Sequence, residues 1–244
     1  MARLCAIIPA RKGSKKIKNK NIRLLNGHPL IAYSIAVAKL SPLIEQTIVT
    51  TDSQQIADIA LKYGAEVPFL RPENLALDYS TDMEFFQHFI DFNKKNNIEI
   101  PEYLVHLRPT TPLRELNVLN SGIQMILDHP EATSLRSVNR TSVCPYKIFK
   151  MDGIFMKDLF PNELKPEYYN LPRQVFPEMF DPNGYVDVVR YSTIQTGMLH
   201  GKKMIGYVTE KIPDIDEKKD FEFARKIAKN KSFLEIAEYL NTMT

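Results

Sequence analysis

Apolar positions along the chain alternate between two periods. Leu4-Cys5-Ala6-Ile7-Ile8 is a short unbroken apolar run, the pattern of a strand buried on both faces. Pro29 to Leu40 carries helical spacing through Leu30, Ile31, Ser34, Ile35 and Ala38, with Pro29 suited to a first turn. The same reading predicts a strand over Glu45 to Thr50, a helix over Gln54 to Tyr63 stopped by Gly64, and a third strand over Ala65 to Leu70. Helices follow at Thr81 to Asn93 and Leu116 to Leu127, with strands at Tyr103 to Leu107 and Ala132 to Val138. Strands alternating with helices predict an α/β fold: a mostly parallel sheet with helices on both faces.

Asn139 to Pro182 breaks this rhythm. Pro145, Pro161, Pro166, Pro172 and Pro177 are spread among tyrosines, phenylalanines and lysines, which suits neither a helix nor a central strand. The stretch reads as an inserted subdomain, with a hairpin as one way to build it. Regular patterns resume at Gly184 to Val189 and Met204 to Val208, and two helical stretches, Lys218 to Lys229 and Phe233 to Asn241, follow. With no internal repeat and no low-complexity linker, 1–244 reads as a single domain carrying the insertion at 139–182.

Charge narrows the partners. Lys and Arg outnumber Asp and Glu by 32 to 29, an excess that suits an anionic small molecule but is too weak for nucleic acid. The first apolar run is short and lacks a preceding basic region, and nothing approaches the roughly 20 apolar residues of a membrane span, so the expectation is a cytoplasmic protein with no membrane partner. The two cysteines, Cys5 and Cys144, make no disulfide framework; Cys5 reads as core.

The candidate chemistry begins in the loop after the first strand, where ligands bind in open α/β sheets. Arg11, Lys12, Lys15, Lys16, Lys18 and Lys20 stand there with Gly13 and Ser14. Cations beside exposed backbone N–H groups suit a polyphosphate, and a glycine allows close backbone approach. Taken alone, such a loop is more often a solvated turn, and it has neither a P-loop ending nor a dinucleotide fingerprint. Near the other end, Asp214-Ile215-Asp216 would put two carboxylates on one side of an extended segment, a divalent-cation pattern; the bland alternative makes Asp216 a helix N-cap.

Read in order, these pieces form a pattern. Ile8-Pro9-Ala10-Arg11, Ser14-Lys15 and Lys20-Asn21-Ile22 are followed by Ile48-Val49-Thr50-Thr51-Asp52, then Leu70-Arg71-Pro72 with Leu75-Ala76 and Asp78. Next come Leu107 to Arg114, Pro172-Arg173-Gln174, Pro177, Asn183-Gly184 and Asp214-Ile215-Asp216. This succession resembles the acylneuraminate cytidylyltransferases, the CMP-sialic acid synthetase family, along nearly the whole chain.

The resemblance implies a Rossmann-like three-layer nucleotidyltransferase fold, a homodimer in which the inserted segment reaches the neighbouring site, and Mg2+ as the divalent cation. The reaction it implies is attack of the C2 hydroxyl of an acidic 2-keto sugar on the α-phosphorus of CTP. On that template Arg11, Lys15 and Lys20 act on the phosphates, and Asp216 joins them in catalysis, with Asp214 and Asp216 as metal ligands. Ala10, Ser14, Asn21, Arg71, Asp78 and Ser80 complete the nucleotide site; for Arg71 a surface salt bridge is the competing reading. Arg108, Thr110, Thr111, Lys147, Arg173, Gln174 and Asn183 are the substrate candidates, Lys147 for the sugar carboxylate.

Several positions depart from the family pattern. Arg108 stands where the family usually has Gln, Asp187 where it tends to be apolar, and Lys16 and Lys18 replace Gly and Pro. A guanidinium has no acceptor, so Arg108 bears on which sugar is taken more than on the reaction. Rival classes are a sugar 1-phosphate nucleotidyltransferase, usually richer in glycine at this loop, a glycosyltransferase with its Asp-x-Asp nearer mid-chain, and a non-catalytic nucleotide-binding relative.

Overall fold

The computed structural model describes residues 3–160 and 165–243; of the prolines singled out above, Pro161 lies outside them. Strand β1 (Leu4–Pro9) pairs in parallel with β4 (Gln46–Thr50) on one side and β5 (Tyr103–His106) on the other. Next to β5 lies β9 (Phe180–Arg190), antiparallel, then β6 (Ser134–Arg140), with β10 (Met204–Val208) parallel to β6 at the edge. The order β10-β6-β9-β5-β1-β4 makes a six-stranded, mostly parallel sheet into which one antiparallel strand is wedged.

Strand alternation sorts the core into two layers. Leu4, Ala6 and Ile8 of β1 point to one face with Tyr103 and Val105 of β5, whereas Cys5 and Ile7 share the other with Leu104. The first face is covered by α1 (Leu30–Leu40), α2 (Gln54–Lys62), α4 (Leu116–Leu127), α6 (Lys218–Ile227) and α7 (Leu234–Thr242). The second is covered by α3 (Asp82–Lys95), through Phe85, Phe86, Phe89 and Ile90, and by the one-turn α5 (Tyr191–Ile194). Helix α1 is buried from Leu30 through Ala38, consistent with its nearly continuous apolar sequence. A two-residue ladder, β2 (Leu24–Leu25) with β3 (His28–Pro29), leads into it.

Two expectations need correction. Ala65 to Leu70 is not a strand: it touches the sheet only at isolated bridges, Ile48 to Glu66 and Thr51 to Leu70. Pro68 lies between those bridges and has no N–H to give a ladder. The cap of α6 is Glu217, in a reciprocal box with Asp220, so Asp216 is not the N-cap and its carboxylate is left for other partners.

Beyond β6 the chain leaves the sheet. It makes the hairpin β7 (Phe149–Asp152) and β8 (Phe155–Asp158), then short 3-10 turns, before returning as β9. The segment builds a small aromatic cluster of its own. Tyr146 stacks on Phe176 with centroids 4.8 Å apart and lies 5.0 Å from Phe160, while Tyr168 is buried beside them.

Candidate active site

Strand β1 delivers its basic loop to the carboxyl end of the sheet, and local bonds hold the loop there. The Lys12 N–H donates to Asp52 Oδ1 at 2.7 Å, tying the loop to the end of β4. Asn21 is buried and donates from Nδ2 to the Arg11 carbonyl at 3.0 Å, closing the loop from its far end. Asn21 therefore shapes the loop. Ala10 is also fully buried, its N–H donating to the Thr50 carbonyl at 2.9 Å. A Cβ at Gly13 would meet only Arg11 Nη1 at 3.8 Å, so nothing in the protein itself demands glycine there.

Arg11, Ser14, Lys15, Lys20, Ser80 and Asp216 line one cavity of about 510 Å³. Its mouth carries an ion-pair clasp: Arg11 Nη1 lies 2.7 Å from Asp78 Oδ1 and Lys15 Nζ 2.5 Å from Asp78 Oδ2. Hydrogen bonds from Lys15 and Arg11 hold the Asp78 carboxyl below the usual carboxylate range. Asp78 can only accept hydrogen bonds when ionised, so it competes with a phosphate for these cations. Ser80 accepts from the Leu77 N–H through Oγ at 3.0 Å, closing the turn that presents Asp78.

Arg71 corrects one of the competing readings. It is buried and makes no salt bridge among the described residues; instead Nη2 donates to the Thr50 carbonyl at 3.0 Å. Its guanidinium lies 5.8 Å from the centre of the Phe85 ring, and its Nε has no hydrogen-bond partner. Burial lowers its pKa. Arg71 is thus part of the cavity wall.

The metal candidates approach from the segment before α6. Ile215 is fully buried and its N–H donates to the Thr110 carbonyl at 2.7 Å, pinning the segment to the loop after β5. On either side Asp214 and Asp216 remain exposed, the alternation expected of an extended stretch. Lys20 bridges both ends of the chain: its Nζ lies 2.8 Å from the Ile215 carbonyl oxygen and 3.1 Å from Asp216 Oδ1.

A second cavity, of about 730 Å³, adjoins the first and includes Thr111, Asn183 and Asp214 in its lining. Arg108 and Asp216 line both, so they stand at the divide. Arg108 is held on two sides, Nη1 to Asp187 Oδ2 at 2.8 Å and Nη2 to Asp82 Oδ2 at 2.9 Å. Burial works against its charge, but Asp187 and Asp82 outweigh it and raise the pKa. The two departures from the family pattern, Arg108 and Asp187, are one ion pair. Gly184, at φ +68, packs against it: a Cβ there would meet Thr111 Oγ1 at 3.3 Å and Arg108 Nη1 at 3.6 Å.

The loop carrying Arg108 is set by Arg114, whose guanidinium is wholly buried. It donates to the carbonyls of Arg108 and Gly184 at 3.0 Å each, to that of Tyr185 at 2.5 Å, and to that of Thr111. Neither Asp82 nor Arg114 was given a site role by the sequence reading, nor was Arg136, which also lines the second cavity. Their partners lie far off in the chain, and no local spacing marks them.

Lys147, Arg173 and Gln174 are not brought to either cavity of their own chain. Lys147 Nζ donates to the Tyr169 carbonyl at 3.0 Å and Arg173 Nη1 to that of Ser142 at 2.9 Å, both within the inserted segment; Gln174 is exposed. Asn183 spends its amide on Thr209 Oγ1 at 2.8 Å, and Thr110 lines the first cavity.

Comparison with known proteins gives the family. A family model described as cytidylyltransferase matches residues 5–238. An N-acylneuraminate cytidylyltransferase of Escherichia coli O18:K1:H7 is 33% identical over 242 residues, covering 98% of this chain and 55% of that protein. A CMP-N,N'-diacetyllegionaminic acid synthase of Legionella pneumophila is 41% identical over 123 residues, 50% of this chain and 53% of that protein. The matches thus span about half the length of these relatives. In fold, the chain is similar to a CMP:2-keto-3-deoxy-manno-octonic acid synthetase solved with CTP, with a TM-score of 0.67 at 13% identity over 93% of this chain and 98% of that one. With a sheet, a basic loop and a late aspartate pair in the order the resemblance implies, the chain belongs to the cytidylyltransferase family.

Proposed function

We propose that the chain transfers the cytidylyl group of CTP to an acidic 2-keto sugar of the nonulosonic type, giving a CMP-sugar and pyrophosphate. The observation that carries this reading is the pair of adjoining cavities that share Arg108 and Asp216, one of them ringed by the basic loop. A nucleotide in the first and an acceptor in the second would meet at that divide. There the acceptor's C2 hydroxyl oxygen forms a bond to the α-phosphorus, the bond from that phosphorus to the pyrophosphate oxygen breaks, and the hydroxyl proton passes to water.

This chain's residues contribute position and charge. Arg11 grips two phosphate oxygens as a fork, and Lys15 adds a mobile point charge once both leave Asp78. Lys20, only 14% exposed, holds its charge between the phosphates and Asp216. Ser14 and Ser80 offer hydroxyls at the rim, and Arg71 backs the wall. Thr111 and Asn183 border the acceptor, while Thr110 stands on the nucleotide side.

Asp214 and Asp216 suit a magnesium ion that arrives with the nucleotide. Among the described residues no group of three or more His, Cys, Asp or Glu could hold a metal. Two carboxylates completed by phosphate oxygens and water is, however, a donor set magnesium accepts. The ammonium of Lys20 at 3.1 Å from Asp216 marks a spot that already attracts positive charge. When bound, the cation neutralises phosphate charge and polarises the reacting group.

The inserted segment fits contact with a second copy of the chain. Met151, Ile154, Phe155 and Met156 expose their side chains on the β7–β8 hairpin, while Lys147, Arg173 and Gln174 line neither of the two cavities above. In a homodimer they would reach the partner's acceptor site, and sedimentation equilibrium would test the association.

The function is tested by pyrophosphate release with each nucleoside triphosphate against a panel of 2-keto sugar acids, with and without magnesium. Release is expected only when CTP, a sugar acid and the cation are present together. Turnover with a sugar 1-phosphate as acceptor would sink the reading.

A further inference from the structure

The second cavity carries a cation that none of the assignments above uses. Arg136, on β6, stands directly across the ladder from Asp187 on β9, and Asp187 in turn stands across from His106 on β5. Asp187 is therefore a carboxylate at the centre of three neighbouring strands, only 1% exposed, with a guanidinium on each side of it. Arg108 satisfies one of its oxygens at 2.8 Å.

Arg136 behaves differently. Its Nε lies 3.5 Å from the other Asp187 oxygen, close enough for charge attraction, yet neither atom has a hydrogen-bond partner. Among the described residues no acceptor takes a hydrogen bond from any Arg136 nitrogen. A counter-ion kept only for stability would be expected to close that bond. Arg136 instead remains partly exposed and lines the second cavity with its donors uncommitted.

The ladder breaks beside this pair. Asp187 of β9 faces Arg136 but Pro182 faces Val138, so residues 183–186 of β9 stand against Ser137 alone and open the sheet next to Arg136. The Ser137 hydroxyl accepts from the Val186 N–H at 2.9 Å, satisfying a buried donor beside the break.

We propose that Arg136, and not Lys147, which lines neither cavity of its own chain, is the residue that receives the acceptor's carboxylate, and that Asp187, shared between the two guanidiniums, is the positioning residue that aims both Arg136 and Arg108. The inference rests on the acidic acceptor of the proposed reaction. A guanidinium presents a planar fork that matches a carboxylate, which an ammonium cannot. The cavity is also polar in the needed sense. Arg136 stands on the sheet, while Asp214 and Asp216 stand on the segment before α6. An acceptor held by its carboxylate at Arg136 keeps its C2 hydroxyl, on the adjoining carbon, in the cavity that Arg108 and Asp216 also line.

The test uses three acids, N-acetylneuraminate, N,N'-diacetyllegionaminate and pseudaminate, each beside its C1 carboxamide, with wild type, Arg136→Gln and Arg136→Lys. For whichever acid the wild type turns over, Arg136→Gln should raise the acceptor KM roughly 10- to 100-fold, the worth of a charge-assisted hydrogen bond. The KM for CTP should stay unchanged, and the preference for acid over amide should fall close to parity. Arg136→Lys, which keeps the charge and loses the fork, should lie between and guards against a misfolded glutamine variant. An unchanged acceptor KM with the acid preference intact in Arg136→Gln overturns the assignment. If wild type turns over none of the three acids, the acidic acceptor itself is wrong and the assignment falls with it.

Discussion

Two clusters, each of two cations around one carboxylate, face this site, and they are built for different purposes. At the mouth of the first cavity, Arg11 and Lys15 share Asp78; at the wall between the cavities, Arg108 and Arg136 share Asp187. Asp78 is 40% exposed and Asp187 1%. In water an ion pair is worth little and is readily exchanged for another partner. Away from water, removing one member strands a charge at high cost. The mouth cluster can therefore open for a phosphate. The buried Arg108–Asp187 pair cannot open without damage, so it defines shape and orientation, while Arg136 beside it keeps its donors for a ligand.

The largest effect should come from splitting the wall cluster. Asp187→Asn leaves Arg136 without a carboxylate and Arg108 with Asp82 alone, and Arg108→Gln leaves a buried carboxylate without its main partner; each should cost about 3–5 kcal/mol in urea unfolding. The double variant, which removes the charge on both sides, should cost clearly less than the sum of the two. Strict additivity would mean that the wall pair is no tighter than the one at the mouth.

How the clusters came to be legible, or not, follows from the same contrast. The mouth cations Arg11 and Lys15 stand in one short loop after a strand, where their density is visible in sequence. The wall cluster joins residues 26 and 79 positions apart, from α3, the loop after β5, and β9. No local pattern announces it. Arg108 and Asp187 stood out only as separate departures from a family pattern, and folding alone brings them together. The fold divides likewise. Leu116–Leu127 and Met204–Val208 match their predicted spans because their spacing is regular, whereas Ala65 to Leu70 misleads because its apolar run contains Pro68. The inserted segment has an aromatic cluster, not a periodicity, and so gives no element boundaries in advance.

Lys20 lies between the two extremes, and it links the basic loop to Asp216. Lys20→Ala or Asp216→Asn should lower kcat by roughly 10²–10³-fold, the scale of removing one charge-stabilising group in an active site. Cooperative thermal unfolding should persist in both. Near-normal turnover at low magnesium in Asp216→Asn would remove that residue from the reaction and leave its ion pair as a surface contact like that of Asp78.

Acid should distinguish the clusters as well. Burial, reinforced by Arg108 and Arg114, holds the His106 pKa well below its ordinary value, and His200 is lowered chiefly by burial too. Below about pH 6.5 the unfolded chain binds a proton that folded His106 refuses, so stability falls as pH falls, by at most ~1.4 kcal/mol per pH unit for one histidine. His106→Gln should flatten the dependence of the melting temperature between pH 6.5 and pH 5. An undiminished slope in that variant would assign the acid sensitivity to groups outside the wall cluster.

The smallest effect belongs to the mouth, and its sign matters more than its size. Asp78 occupies the two cations that a triphosphate needs, so binding exchanges one anion for another. Asp78→Asn removes the competitor while keeping the side-chain volume. If the clasp is only a placeholder, the KM for CTP should fall roughly two- to fivefold, within the range of an exposed ion pair, and the gain should shrink as salt is added. A rise in the KM for CTP would mean that Asp78 holds Arg11 and Lys15 in their binding positions. The mouth would then share the logic of the wall, with a carboxylate kept to aim cations, and exposure alone would no longer separate the two clusters.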